Sequence, residues 1–396
     1  MKRLVGILLA CMAGSAAAQL LDYSAAELRS ILRHGPWPAA WSPDPSNRLS
    51  GNAQAIDWGR QLFFEPRLSK GGAAPCARCH LPARSWQDGL PRGHGLEPGD
   101  RNTLSLLNVR YQRWFGWDGA GDSLWAQSIR PIIDAREMGL SPGEVAALVR
   151  GDAQHACGYE KSFGVPPPGD DEALLAGVGK ALAAFQETLV SARTPFDDFR
   201  DALERGDRAE AARYPLDAQR GLRIFVGRGA CNLCHVGPTF SNGEFDDIGV
   251  PFFIAPGKVD PGRHGGIVRL RQNPFNLLGR HSDDATRASA TRTRHVALEH
   301  RNFGEFKVPG LRNVAQTAPY THHGRLATLE DVIRHYSDMD PDRIHSDGVA
   351  ILRPLKLDAG GMRDLAAFLA SLSEREPAPL APPLRRACGS PPPLRD

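Results

Sequence analysis

Net charge is nearly absent from this chain: 48 Lys and Arg stand against 45 Asp and Glu, a formal +3. Nucleic-acid binding asks for a clustered basic surface, which so even a balance does not offer. Aromatic residues are modest at 7%. Beyond the first 18 residues no apolar run is long enough to cross a bilayer, so no membrane span is expected. No alternating polar–apolar pattern is sustained, so extended sheets are not expected either. Gly 41 and Pro 32 make the chain rich in loops, but without a period. That excludes collagen and low-complexity sequence. Hydrophobic residues at 41% and charged residues at 23% also exclude a disordered chain.

What is present begins with a leader. Lys2 and Arg3 precede the apolar run Leu4 to Met12, and Ala16-Ala17-Ala18 follow. This is the order of an export signal, expected to end at residue 18 and to send the protein to the periplasm. The remaining length suits two domains.

Seven cysteines carry the main signal. Four of them form Cys76-Ala77-Arg78-Cys79-His80 and Cys231-Asn232-Leu233-Cys234-His235. Each is C-x-x-C-H, the attachment pattern of c-type haem. Two thiols bind the porphyrin edge, and the adjacent His80 or His235 reaches the iron from below. Zinc ribbons set their cysteine pairs about 15–20 residues apart, whereas Cys231 follows Cys76 by 155. Two covalently bound haem c groups are therefore expected. Cys11 leaves with the leader, and Cys157 and Cys388 remain, free or paired, since an exported protein can hold a disulfide.

The motifs lie far enough apart for two tandem haem domains. The expected fold is mainly α: two cytochrome c-like domains with long loops. The signal peptide takes residues 1–18, an N-terminal haem domain 19–205, a C-terminal haem domain 206–375 and a Pro-rich tail 376–396. Ser24-x-x-Glu27 opens a short helix ending near Gly35-Pro36. Helices are also expected over 53–63, from Ser141-Pro142-Gly143-Glu144 onward, and over 171–190, 217–227, 328–339 and 361–372. Residues 236–310 show little periodicity and read as loops. Gly177-x-Gly179-Lys180 lacks the spacing of a phosphate-binding loop. His264, His281, His295, His300 and His345 match no compact metal pattern.

Several blocks resemble the bacterial di-haem cytochrome c peroxidases and their MauG relatives. They are Leu62-Phe63-Phe64-Glu65-Pro66-Arg67-Leu68-Ser69, Arg101-Asn102-Thr103, Phe115-Gly116-Trp117-Asp118-Gly119 and Glu137-Met138-Gly139. Thr194-Pro195-Phe196-Asp197, Val308-Pro309-Gly310-Leu311-Arg312-Asn313-Val314 and Thr317-Ala318-Pro319-Tyr320 complete the set. The resemblance implies a haem oxidoreductase acting on hydrogen peroxide. It implies that Trp117 relays electrons or holes between the haems. Glu137 then moves the peroxide proton, Gln127 orients the peroxide, and Pro131 stands beside them. Asn102, Thr317 and Pro319 match the groups that hold a calcium ion between the haems.

The resemblance divides at one position. Tyr336, 17 residues beyond Pro319, stands where MauG-like proteins carry a tyrosine on the second iron and the other peroxidases a methionine. Tyrosine lowers the haem potential and methionine raises it. Nearby Met339 is the alternative ligand. His94 falls where the other peroxidases carry a histidine that closes the first haem at rest. Gly229 stands where MauG has a surface tryptophan used for hopping, which argues against methylamine dehydrogenase as partner. Trp114 to Asp118 and Leu124 to Pro131 resemble the MbnH branch, which oxidises a tryptophan of a partner called MbnP. Trp86, Trp114 and Trp125 are further hopping candidates. The expected function is a MauG/MbnH-like enzyme forming a high-valent two-haem state that oxidises an aromatic side chain, Trp, of a periplasmic protein. The rival is a cytochrome c peroxidase fed by a small redox protein, a cytochrome c or cupredoxin.

Overall fold

The computed structural model describes residues 19–251, 253–340, 342, 352–376 and 388. The leader expected over 1–18 and most of the tail expected over 376–396 lie outside them, as does His345. The mainly α expectation holds. In the first half run α1 (Ala25–Leu32), α2 (Ala53–Phe63), α3 (Cys76–Cys79), α4 (Leu124–Ile133), α5 (Pro142–Gly151), α6 (Ala153–Phe163) and α7 (Asp171–Gln186). Then follow α8 (Pro195–Arg205), α9 (Arg208–Ala211), α10 (Leu216–Val226), α11 (Gly262–Gln272), α12 (Thr291–His295), α13 (Leu329–Asp338) and α14 (Ala359–Ala370). Strands are short: β1 (Phe245–Asp246) pairs antiparallel with β4 (Phe306–Lys307), and β2 (Phe253–Ala255) with β3 (Lys258–Val259).

The capping signals were legible. Ser24 and Glu27 close a reciprocal box at the start of α1, and Ser141 with Glu144 does the same for α5. Such boxes satisfy amides that the first helical turn leaves unpaired. One expectation is corrected: residues 236–310 are not all loop, because α11 lies within them. Its glycines and arginines leave only Ile267 and Leu270 as large buried apolar residues. Tertiary contact sets it instead. At Gly266 an added Cβ would lie 2.0 Å from the Asp118 carbonyl.

Two cores form. The first gathers Leu62, Phe63, Trp86, Trp125, Leu182, Phe185 and their neighbours from α2, α4, α5 and α7. The second gathers Ile31, Phe196, Phe199, Phe225, Phe240, Ile333 and Phe368. The division expected at residue 205 is therefore displaced. Helix α8 belongs to the second core, where Phe199 stacks on Tyr214 at 4.3 Å and Phe196 meets Phe240 at 5.2 Å. Helix α1 crosses over to join them through Ile31. Cys157 of α6 is disulfide-bonded to Cys388, with Cα atoms 5.9 Å apart.

The two halves repeat one plan. The helix before each C-x-x-C-H motif crosses a later helix at a glycine. At Gly59 of α2 a Cβ would stand 1.9 Å from the Ala181 carbonyl of α7. At Gly221 of α10 it would stand 1.9 Å from the Asp364 carbonyl of α14. Only a residue without a side chain allows so close an approach. Downstream, Asn108 and Asn313 both take left-handed backbones, and their amides donate to Leu189 and Leu372.

Candidate functional site

Each motif histidine is oriented in the same way. His80 Nδ1 lies 3.0 Å from the Trp86 carbonyl, and His235 Nδ1 lies 3.0 Å from the Phe240 carbonyl. Both acceptors sit at positive φ, 61° for Trp86 and 56° for Phe240. Such a backbone is strained for a bulky residue, costing on the order of 1–3 kcal/mol. The strain aims a carbonyl at the ring, which fixes the tautomer and leaves Nε2 for iron. Burial lowers both histidine pKa values, favouring the neutral imidazole that ligates metal. The four thiols, Cys76, Cys79, Cys231 and Cys234, are free of disulfides and half-buried. The residues fit two haems bound through thioether links.

The first motif faces a polar wall. Helix α4, which the helix expectations did not include, carries Gln127 and Pro131 one turn apart. The chain then turns back, with Glu137 N donating to Asp134 O and Met138 N to Pro131 O, both at 3.0 Å. That turn sets the Glu137 carboxylate 3.6 Å from Arg130. Burial pushes the Glu137 carboxyl up, and Arg130 pulls it part of the way back. Burial raises the thiols of Cys76 and Cys79, and the charge of Glu137 is close enough to add to it. Gln127 Oε1 and Arg130 Nε are buried without hydrogen-bond partners. Buried polar atoms left so are uncommon and point to a ligand or water. His94 borders this region: its carbonyl lies 3.7 Å from Cys79 Sγ, and the residue is exposed.

The second motif opens on a cavity of about 500 Å³, a size typical of ligand and cofactor sites. Cys231, Cys234, His235 and Tyr336 all line it. Tyr336 projects from α13, whose Thr328 and Asp331 form the expected capping box. Burial raises the Tyr336 phenol, and the charges of Cys231, Cys234 and Asp246 raise it further. A ferric ion acts in the opposite sense on a coordinated phenol. Met339 is buried at the end of the helix, but it lines a separate depression with Arg325, Asp331 and Arg334.

Trp117, Asn102, Thr317 and Pro319 line the same cavity as His235. Trp117 Nε1 donates to Asn102 O at 2.9 Å, and Asn102 N donates to His322 O at 2.8 Å. The Asn102 amide nitrogen donates to Leu90 O at 2.8 Å, leaving its amide oxygen as the atom suited to a cation. Neutral oxygens of this kind fit calcium. An ionic clamp holds the wall. Arg101 pairs with Asp118 and, at 2.6 Å, with Asp260, while Arg269 also reaches Asp118. Burial opposes the Asp118 charge, yet Arg101 and Arg269 hold its carboxyl well below the usual range. Asp260 and Arg269 lie in the stretch without periodicity, and no sequence signal singled them out.

The other singled-out residues have structural places. Trp86 and Trp125 are buried in the first core, and Trp125 Nε1 donates to Ser46 Oγ at 3.0 Å. Trp114 is buried against Phe245. Lys180 sits inside α7 and bonds Asp283 at 2.7 Å, so the Gly177–Lys180 stretch is helix and not a glycine-rich loop. Among the described residues no group of three or more His, Cys, Asp or Glu is placed to hold a metal ion. No described helix is long and apolar enough to cross a membrane. At Gly229 a Cβ would stand 2.7 Å from the Ile224 carbonyl and 3.2 Å from Cys231 Sγ, so a larger residue requires a different backbone here.

Two repeated halves, each presenting a C-x-x-C-H histidine locked by a backbone carbonyl, define a di-haem protein of the c type. The chain belongs to the di-haem cytochrome c peroxidase family, which includes MauG. The family model for di-haem cytochrome c peroxidase matches residues 53–205. MauG of Methylorubrum extorquens is 33% identical over 370 residues, covering 93% of this chain and 91% of that protein. The cytochrome-c peroxidase IdrP1 of a Pseudomonas species is 31% identical over 337 residues, covering 82% of each chain. A solved MauG-like protein associated with microbial copper homeostasis shares the fold, with a TM-score of 0.63 and 23% identity. That match covers 86% of this chain and 96% of the other. The protein is thus a peroxidase-type oxidoreductase with two haem groups.

Proposed function

We propose that this is a periplasmic enzyme of the MauG/MbnH kind, using hydrogen peroxide to oxidise an aromatic side chain, a tryptophan, of a partner protein. The observation that carries this reading is Tyr336 in the His235 cavity, with Met339 lining a different depression. Tyrosine on the second iron disfavours simple electron delivery from a cytochrome, because it lowers the potential. The unpartnered Gln127 Oε1 and Arg130 Nε beside Glu137 support an open first haem. The structural likeness to a copper-associated MauG-like protein supports a copper-binding, MbnP-like partner.

Cys76, Cys79, Cys231 and Cys234 would hold two haems, which would supply the redox capacity for the two oxidising equivalents of peroxide. Gln127 holds the peroxide by hydrogen bond. Glu137 would take a proton from one peroxide oxygen and give it to the other, so that the departing oxygen leaves as water. Pro131 shapes the turn that sets Glu137. Trp117 passes an electron between the halves, with its N–H held by Asn102 O. Asn102, Thr317 and Pro319 hold calcium beside it. The leader at 1–18 would export the chain.

A second reading has its own observation: the His94 loop touches Cys79, near enough to close the first haem in the manner of an ordinary peroxidase. A titration separates the two. One equivalent of peroxide is added to the purified diferric protein without prior reduction. The proposal expects optical changes at both haems and a near-infrared band joining them. Reaction only after one haem has been reduced would sink it and favour the peroxidase.

A further inference from the structure

Trp114 and Trp117 line the same cavity, three residues apart, yet their electrostatic settings are opposed. Trp117 is 9% exposed, and its indole N–H donates to the Asn102 carbonyl at 2.9 Å. An acceptor on the N–H favours positive charge on the ring. Among the described residues no cation lies over its face; the aromatic rings that do carry cations include four other tryptophans. Trp114 is 4% exposed and has the Arg263 guanidinium 4.3 Å from its ring centre. Arg263 is itself buried, and its guanidinium also lies 4.0 Å from the centre of the Phe245 ring, which adjoins Trp114 at 6.3 Å. It donates to Asp118 O at 3.1 Å and Gly119 O at 2.9 Å, so its position is fixed. Burial lowers its pKa to about 10, which leaves it charged at neutral pH. A cation over an aromatic face is attracted to the neutral ring and repelled once that ring has lost an electron.

We propose that Arg263 is a positioning residue for the hole: its guanidinium over Trp114 keeps that ring reduced and confines oxidation to Trp117. The same arrangement recurs away from the relay. Arg312 lies 3.6 Å over Trp37, Arg110 4.9 Å over Trp41 and Lys180 5.5 Å over Trp125. Oxidising equivalents are thereby steered away from four of the seven tryptophans, which protects the enzyme from its own oxidant. The inference rests on the reading of Trp117 as relay.

The test follows tryptophan oxidation in the holoenzyme given peroxide without partner. A ring left oxidised is trapped as hydroxytryptophan: the indole and one H2O2 give the hydroxyindole and one water. A C–H bond becomes C–OH, and two electrons pass from the ring to peroxide as its O–O bond breaks. Peptide mass spectrometry locates the product. In the natural protein Trp117 should carry it and Trp114 should not. Arg263→Met keeps the bulk and removes the charge, and should raise product at Trp114 by about tenfold. Arg263→Lys keeps a charge and should restore the natural pattern. Equal product at both rings in the natural protein, or Arg263→Lys behaving as Arg263→Met, would overturn the inference while leaving the relay intact. Peroxide consumed with no product at Trp117 would overturn the relay and this inference together.

Discussion

The two halves share a scaffold and part company above the iron. Below it, both use a strained aromatic carbonyl on a histidine and a glycine crossing behind the motif. Above it, the first half presents Glu137 beside Gln127 Oε1 and Arg130 Nε, two buried atoms without hydrogen-bond partners, and the second presents a buried tyrosine. A duplicated fold thus offers two similar sites, and on the proposed function the residues of the opposite face decide which one meets peroxide and which one closes. Trp117 and the Arg101–Asp118–Asp260 clamp lie where the halves meet.

The largest expected effect comes from removing the feature unique to the first half. Glu137→Gln should slow the reaction with peroxide by about 10²–10⁴-fold, the usual worth of a positioned acid–base group. Stopped-flow absorbance measures it. In the natural protein that rate should rise with pH as Glu137 ionises, and that limb should lie above the ordinary glutamate value, because burial raises Glu137 and the ionised form is the base. The variant should lose that pH limb.

Breaking the clamp between the halves should come next. Arg101→Gln takes the arginine from Asp260 and leaves Asp118 with Arg269 alone, costing about 3–5 kcal/mol in urea unfolding. Both carboxyls are held below their unfolded values. Their stabilisation is therefore full above about pH 4 and lost as pH falls towards the depressed values. The variant should show a shallower acid dependence than the natural protein.

Cys157→Ser removes the bridge that ties α6 of the first half to Cys388 near the C-terminus. A loss of about 2–4 kcal/mol is expected, read by thermal unfolding against the same protein under reductant. The smallest effect tests the repeat itself. Gly59→Ala and Gly221→Ala should each cost about 1–3 kcal/mol by overpacking an equivalent crossing. Their costs should match more closely than either matches an alanine at exposed Gly151, which meets nothing within 4 Å.

Much of this was legible because it is local. The C-x-x-C-H motifs, the capping boxes and the helix over Ala53–Phe63 follow from neighbouring residues. Gln127, Glu137 and Tyr336 were reached through resemblance and spacing, not through periodicity. What escaped depends on contacts distant in sequence. Helix α11 has too little apolar pattern to announce itself and forms where Gly266 meets Asp118. Helix α8 reads equally well as the end of one domain or the start of the next until Phe196 finds Phe240. Trp114 and Trp117 look alike in sequence, and only Arg263, brought from 146 residues beyond Trp117, separates them.

The most direct test of this division is low-temperature electron paramagnetic resonance of the resting diferric protein beside Tyr336→Phe. The account predicts one high-spin signal from an open first haem, the same in both proteins. It predicts one low-spin signal from the second haem that changes when the tyrosine oxygen is removed. Two low-spin signals, with neither altered in Tyr336→Phe, would contradict it and assign the closing ligands elsewhere.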